Sequence, residues 1–508
     1  MSEEVKDNTI QAVFKEQTSN YRSIFKATSL FGGVKVYQIL VGIVKSKILA
    51  VLLGPTGVGI QGLFQSATTL IQSITAMGIG SSAVRDVSES YASGNQERVN
   101  RVVAVVRRLV WGTGLLGMLA VILFSPQLSK STFGSLEYVV PFVFLSSTLL
   151  FDQLAVGHRV VLQGTRRLKA LAMSSAVGST VGLIISIPLY YRFGVKGIVP
   201  TLILTSFSLL LVMWYYAKKI PIQKIIITNR EALTEGRLLL KMGFSMSVSS
   251  ILAYAADYVL RWFIRTQSGI DEVGLYNAGF MLMSSYTGMV FTAMTADYYP
   301  RLAAVNKDNE KCNTIINNQA EVAVLILAPL LAGLIVFMPF VVRLLYSSEF
   351  LPATGYMLWA AIGMMFKALS WSVAFNFIAK GEARLFLYNE VSANIYFLVF
   401  NLIGYKLGGL NGLGIAFAIA SGVYCLQVIL FSYKRYHLRL TTAFTRTYGI
   451  HGIMLVACLL LVLFKLSGWA FYTLGILLVI FSLVYSFRVL DERMGIKHIL
   501  KGFINKKK

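Results

Sequence analysis

Fourteen apolar windows of about 20 residues succeed one another along the 508-residue chain, each long enough to cross ~30 Å of hydrocarbon as a helix. They fall near 24–53, 57–80, 103–124, 138–157, 170–191, 195–217, 242–266, 273–296, 322–346, 353–379, 385–405, 410–433, 447–464 and 468–487. In lipid every backbone N–H and C=O must find a partner within the protein, so spans of this length must be helices. The chain is therefore expected to be an all-α integral membrane protein. With 56% hydrophobic and 14% charged residues, it leaves no room for a large soluble domain between the spans.

The first twenty residues contain Glu3, Glu4, Lys6, Asp7, Lys15 and Glu16, which is unlike a cleavable signal with a basic start and an apolar centre. They read as a retained cytoplasmic segment. Lys and Arg collect after even-numbered spans, as in Arg98, Arg101, Arg107 and Arg108, then Arg159, Arg166, Arg167 and Lys169, then Lys218 to Lys241. Loops after odd-numbered spans carry little, Lys130 or Lys406 alone. By the positive-inside rule both termini are cytoplasmic, and the net charge of +24 is mainly a topology signal. Charges divided among many short loops do not make a nucleic-acid surface. The basic tail ending Lys506, Lys507, Lys508 suits contact with anionic membrane lipids.

The chain carries an internal repeat. Val58-Gly59-Ile60-Gln61 aligns with Val273-Gly274-Leu275-Tyr276, and Asn95-Gln96-Glu97-Arg98 aligns with Asp308-Asn309-Glu310-Lys311. Six spans separate the copies, an even number, so they share one orientation and relate by an axis along the membrane normal. The expected organisation is an N-lobe over 21–217, a basic cytoplasmic linker at 218–241 and a C-lobe over 242–433. A loop at 434–446, two extra helices at 447–487 and a basic tail at 488–508 follow. Two parallel six-helix lobes around a central cavity result.

Basic residues inside apolar spans are the substrate clue, since a charge near the bilayer centre costs ~2.5–3.5 kcal/mol on insertion scales. Lys35, Gln38, Gly42 and Lys45 lie within roughly 80° of one helical face, with Lys47 two residues on. Tyr254, Asp257, Arg261 and Arg265 form a similar stripe on span 7. Lys35, Lys45, Lys47, Arg261 and Arg265 are candidate anion-binding cavity residues, with Gln38, Tyr254 and Asp257 as polar neighbours. Snorkelling to the headgroups is the competing explanation, and it fits Lys47 and Arg265 best. Asp257 can pair with Arg261 four residues on, or take up a coupling proton. Glu390, Asn394 and Asn401 share a face of span 11 that can bond sugar hydroxyls or hold helices together. Asp152 and Lys367 are further intramembrane charges without an evident partner.

Cys312, Cys425 and Cys458 show neither metal-ligand spacing nor a disulfide framework, and four dispersed histidines form no catalytic constellation. Gly57-Val58-Gly59-Ile60-Gln61-Gly62 fits a dinucleotide fingerprint only in letters, having no strand before it. No phosphate-loop lysine is present, so a proton or sodium gradient, the substrate's own gradient or another protein must drive transport. No cofactor or metal is expected, and no enzymatic activity.

Fourteen spans as two six-helix lobes plus a pair, with the Leu53-Gly54-Pro55-Thr56-Gly57-Val58-Gly59 bend after span 1, resemble the polysaccharide transporters of the multidrug/oligosaccharidyl-lipid/polysaccharide exporter superfamily. Within it the chain is most similar to O-antigen flippases of the Wzx type. The resemblance runs from about Tyr21 to Leu490. It implies translocation of undecaprenyl-pyrophosphate-linked oligosaccharide from the cytoplasmic to the periplasmic leaflet of a bacterial inner membrane by alternating access, with a polysaccharide polymerase as a candidate partner. An ion-coupled drug exporter and a lipid II flippase are the alternatives within the superfamily. A membrane polymerase or ligase would need a large catalytic periplasmic loop, which the short loops do not provide.

Overall fold

The computed structural model describes the backbone of residues 3–223, 225–464 and 468–494, with side chains from Gly33 onward except at positions 286, 293 and 296. The side chains of the charged N-terminal segment and the tail ending in Lys506, Lys507 and Lys508 lie outside the described residues. Among the described residues the regular structure is thirteen α-helices and two short 3-10 turns, with no strand. The helices are α1 (Glu3–Thr75), α2 (Ile79–Ala92), α3 (Gln96–Phe133), α4 (Val139–Gly164), α5 (Leu168–Phe193) and α6 (Ile198–Lys218). Then come α7 (Asn229–Ser268), α8 (Ile270–Ala304), α9 (Asn309–Leu345), α10 (Thr354–Ala379), α11 (Ala383–Tyr436), α12 (Thr442–Leu463) and α13 (Trp469–Met494).

Two of these helices are each two spans joined at a glycine kink. In α1 the break is Gly54, at φ 61° and ψ −167°, a conformation open to glycine, and Pro55 restarts the helix where a missing N–H costs nothing. In α11 the break is Gly408 and Gly409. Among the described residues ten helical segments are long and apolar enough to cross a membrane. Three of them hold two spans, and the less apolar α8 brings the number to the fourteen read from the sequence.

The chain forms two compact units. One comprises Met1–Leu52 and Ala67–Ile251, the other Leu53–Ser66 and Leu252–Lys508. Neither unit is a continuous stretch, and glycines explain why. In the first unit a side chain on Gly243 would strike the Met77 carbonyl, and one on Gly236 would strike Leu109, so the start of α7 lies close against its neighbours there. Leu239 of that segment belongs to the core formed with Val87, Val103, Val106 and Val161. In the second unit a Cβ on Gly59 would fall 3.1 Å from the Gly274 nitrogen, and one on Gly274 would fall 3.0 Å from the Gly59 nitrogen. These two glycines are the aligned positions of the sequence repeat, so the two repeat segments meet each other at equivalent points. Lipid tails give little hydrophobic drive for helix association, and close backbone approach at small residues supplies dispersion instead.

The second aligned motif is a pair of helix starts. Asn95 caps α3 by accepting from the Arg98 amide at 3.0 Å. Asp308 caps α9, accepting from the Lys311 and Glu310 amides at 3.1 Å. Those bonds, the Lys311 amide foremost, hold the Asp308 carboxyl below the usual carboxylate range. What repeats in sequence is thus the local chemistry that begins a helix.

Candidate functional site

The polar stripe of span 1 opens onto a cavity of about 320 Å³ within the first unit. Gln38, Gly42 and Lys45 form one side of its lining. Arg159 of α4, Ser175 and Ser179 of α5, and Thr205 and Ser206 of α6 also line it. Helix placement follows from small residues and one polar tie. A Cβ on Gly178 would fall 2.7 Å from Leu209 Cδ1 and one on Gly182 3.4 Å from Thr205 Cγ2, so these glycines let α5 and α6 pack closely. The Tyr37 and Thr180 hydroxyls share a hydrogen bond of 2.7 Å, tying span 1 to α5.

Depth in the membrane follows from the kink. Counting about twenty residues back from Gly54 puts Lys45 about 13 Å before the bend, near the middle of a ~30 Å hydrocarbon layer. A cation at that depth needs water or a counter-charge. Two cations and several neutral oxygens line the cavity, and no carboxylate does. Ser179 donates to the Ala176 carbonyl at 2.8 Å and Thr205 to the Thr201 carbonyl at 2.8 Å, so these hydroxyls are satisfied and can still turn toward a ligand. Asp152, without a partner in the sequence reading, accepts a hydrogen bond from Ser206 and interacts with the Arg159 charge. Two cations against one nearby carboxylate leave the lining with an excess of positive charge, chemistry that suits an anion.

Lys35, on the same stripe, is exposed and is not part of this lining. Lys47 is half-buried, two residues beyond Lys45.

The stripe of span 7 is organised differently. Arg261 is 8% exposed and makes an ion pair with Asp257. Its Nε donates to Asn277 Oδ1 at 2.7 Å, and Asn277 Nδ2 donates to the Val58 carbonyl at 3.4 Å. The guanidinium lies 5.4 Å from the Tyr276 ring centre and 5.8 Å from that of Phe280. Arg261 therefore braces the Gly59–Gly274 crossing inside the second unit, its charge met by Asp257 and aromatic faces. Tyr254 is exposed, and Arg265 is half-buried one turn beyond Arg261.

On α11, Glu390 accepts from the Tyr424 hydroxyl at 3.2 Å, and Asn394 donates to the Glu390 carbonyl at 2.8 Å. Both line a second cavity together with Lys367. Asn401, two turns on, is half-buried and outside that lining.

Sequence reading missed Arg159, which it placed in a cytoplasmic loop after a span ending at 157. Gly157 stays helical and packs against Val110, and α4 continues to Gly164, stopping before Arg166 at φ 56°. It also missed Asn277. The usable signal for the cavity was the small polar spacing Ser175, Gly178, Ser179, Gly182, which marks one face of α5.

Residues 48–354 match the family of polysaccharide biosynthesis proteins. The lipid III flippases of Escherichia coli (strain K12) and Shigella flexneri are each 23% identical over 390 residues, covering 74% of this chain and 90% of theirs. Among solved structures, the lipid II flippase MurJ in an inward closed conformation superposes with a TM-score of 0.68 at 15% identity, covering 93% of this chain and 99% of that one. An inward-facing multidrug resistance MATE family transporter of the MOP superfamily gives 0.65 at 17% identity, over 83% and 99%. The fold is that of these transporters, and the chain belongs to the polysaccharide biosynthesis protein family.

Proposed function

We propose that this protein is a flippase for lipid-linked oligosaccharide. It moves undecaprenyl-pyrophosphate-linked repeat units of O-antigen or a related polysaccharide from the cytoplasmic to the periplasmic leaflet of the bacterial inner membrane, by alternating access with both termini cytoplasmic. The observation that carries this reading is the cavity lined by two cations, Lys45 and Arg159, with one carboxylate, Asp152, beside Ser206 and Arg159. A pyrophosphate offers several anionic oxygens to an ammonium, a guanidinium and the surrounding hydroxyls, while the polyprenyl tail stays in lipid. The names of the lipid III flippase relatives agree with such a cargo. A proton or sodium gradient is the proposed drive, and a polysaccharide polymerase the proposed recipient of the product.

A lipid II flippase would use the same phosphate chemistry with a different glycan, and the MurJ likeness in fold keeps that reading second. A cationic drug would meet repulsion from Lys45 and Arg159. Competition binding separates the classes. A fluorescent polyprenyl-pyrophosphate bound to the purified full-length chain is expected to be displaced by inorganic pyrophosphate and not by a lipophilic cation. The reverse order of displacement would move the protein to the drug-exporter class.

A further inference from the structure

The phosphate reading leaves unused a cavity of about 360 Å³ in the second unit, framed by α10 and both halves of α11 and within the size range of small-ligand sites. Part of its wall is aromatic, with Trp371, Phe375, Phe397 and Tyr424 among the lining. The Trp371 ring is held by neighbouring rings. Its centre lies 5.0 Å from that of Phe375 and 5.7 Å from that of Tyr298, and the fully buried Tyr298 donates its hydroxyl to the Ser372 carbonyl at 2.5 Å. A flat apolar face held in this way suits the C–H face of a pyranose.

Two unlike charges, Lys367 and Glu390, line the same cavity. They attract one another, yet among the described residues they close no ion pair with each other. The Tyr424 hydroxyl donates to Glu390 Oε1 at 3.2 Å, so a ligand between the two charges has the ammonium to meet with an acceptor and the second carboxylate oxygen to meet with a donor. A secondary amide offers both, its carbonyl to Lys367 and its N–H to Glu390. A uronic acid would gain Lys367 and be repelled by Glu390, and a free amino sugar the reverse, so a neutral group with both a donor and an acceptor meets the two charges without either repulsion. We propose that this cavity is a saccharide subsite selective for an N-acylated amino sugar in the cargo. The proposal deepens the flippase reading and rests on it for the source of the sugar.

The test reads binding apart from transport. Methyl glycosides of N-acetylglucosamine, glucosamine and glucose are titrated into the purified full-length chain by calorimetry, and the matching lipid-linked sugars are followed in sealed vesicles. The N-acetyl glycoside is expected to bind about tenfold more tightly than the other two, as one hydrogen bond to a charged group provides. Glu390→Gln and Lys367→Met are each expected to bring that ratio close to one. Equal binding of all three glycosides by the wild-type chain overturns the subsite even if either variant fails to fold, and so does a preference that survives both variants. Translocation without a glycoside preference removes the subsite and leaves the flippase standing. A preference without translocation of any cargo supports the subsite and removes the flippase.

Discussion

Replacing Lys45 and Arg159 together by methionine is expected to lower translocation of a polyprenyl-pyrophosphate cargo by about a hundredfold or more. Each charge-assisted bond to a phosphate oxygen contributes about 1.5–3 kcal/mol, and every 1.4 kcal/mol is tenfold. For Lys45→Met alone, stability should move the other way or stay unchanged. An apolar side chain in place of Lys45 removes an ionic group about halfway through the membrane, which costs ~2.5–3.5 kcal/mol on insertion scales. A thermal melt of the Lys45→Met single variant should therefore match or exceed the wild type while its transport falls, whereas Arg159→Met also takes the counter-charge from Asp152 and should melt lower. Lys35→Met is expected to have a much smaller effect, because Lys35 is exposed and lies off the cavity lining. Equal losses from Lys35→Met and Lys45→Met would show that general basicity matters more than the cavity.

Gly274→Ala is expected to destabilise the protein by about 1–3 kcal/mol or more through overpacking, seen as a lower melting temperature in detergent. A Cβ at Gly274 would collide with the Pro55 carbonyl oxygen and press on Gly59, and neither backbone can yield without parting the helices. Gly288→Ala, on the same helix α8, is the matched comparison. A Cβ there meets nothing within 4 Å, so the substitution should be neutral or slightly stabilising through helix propensity. Equal behaviour of the two variants would remove the close crossing from the account. The same crossing explains the placement of Arg261, whose bonds reach Val58 through Asn277.

The features legible in the sequence are those governed by neighbouring residues. Apolar runs of spanning length, the Gly54-Pro55 bend and the Asn95 and Asp308 caps each depend on a few adjacent positions, so the helices and the repeat could be read directly. The Gln38, Gly42 and Lys45 stripe was also visible, because helical periodicity assigns residues to a face. Periodicity says nothing about what a face meets. That is why the sequence alone places Arg159 in a loop and gives no sign of the bond from Arg261 to Asn277, 16 residues further along the chain. Lys367 and Glu390 stood as separate charges because only packing between α10 and α11 puts them in one cavity.

The central claim is tested most directly by reconstituting the full-length chain into sealed liposomes that contain a fluorescent polyprenyl-pyrophosphate oligosaccharide, and following its exposure to an external quencher. The account predicts exposure that depends on the protein and is lost in the Lys45→Met/Arg159→Met variant. Exposure equal to that of protein-free vesicles, with O-antigen-type and lipid II-type glycans alike and under imposed proton and sodium gradients, would contradict it.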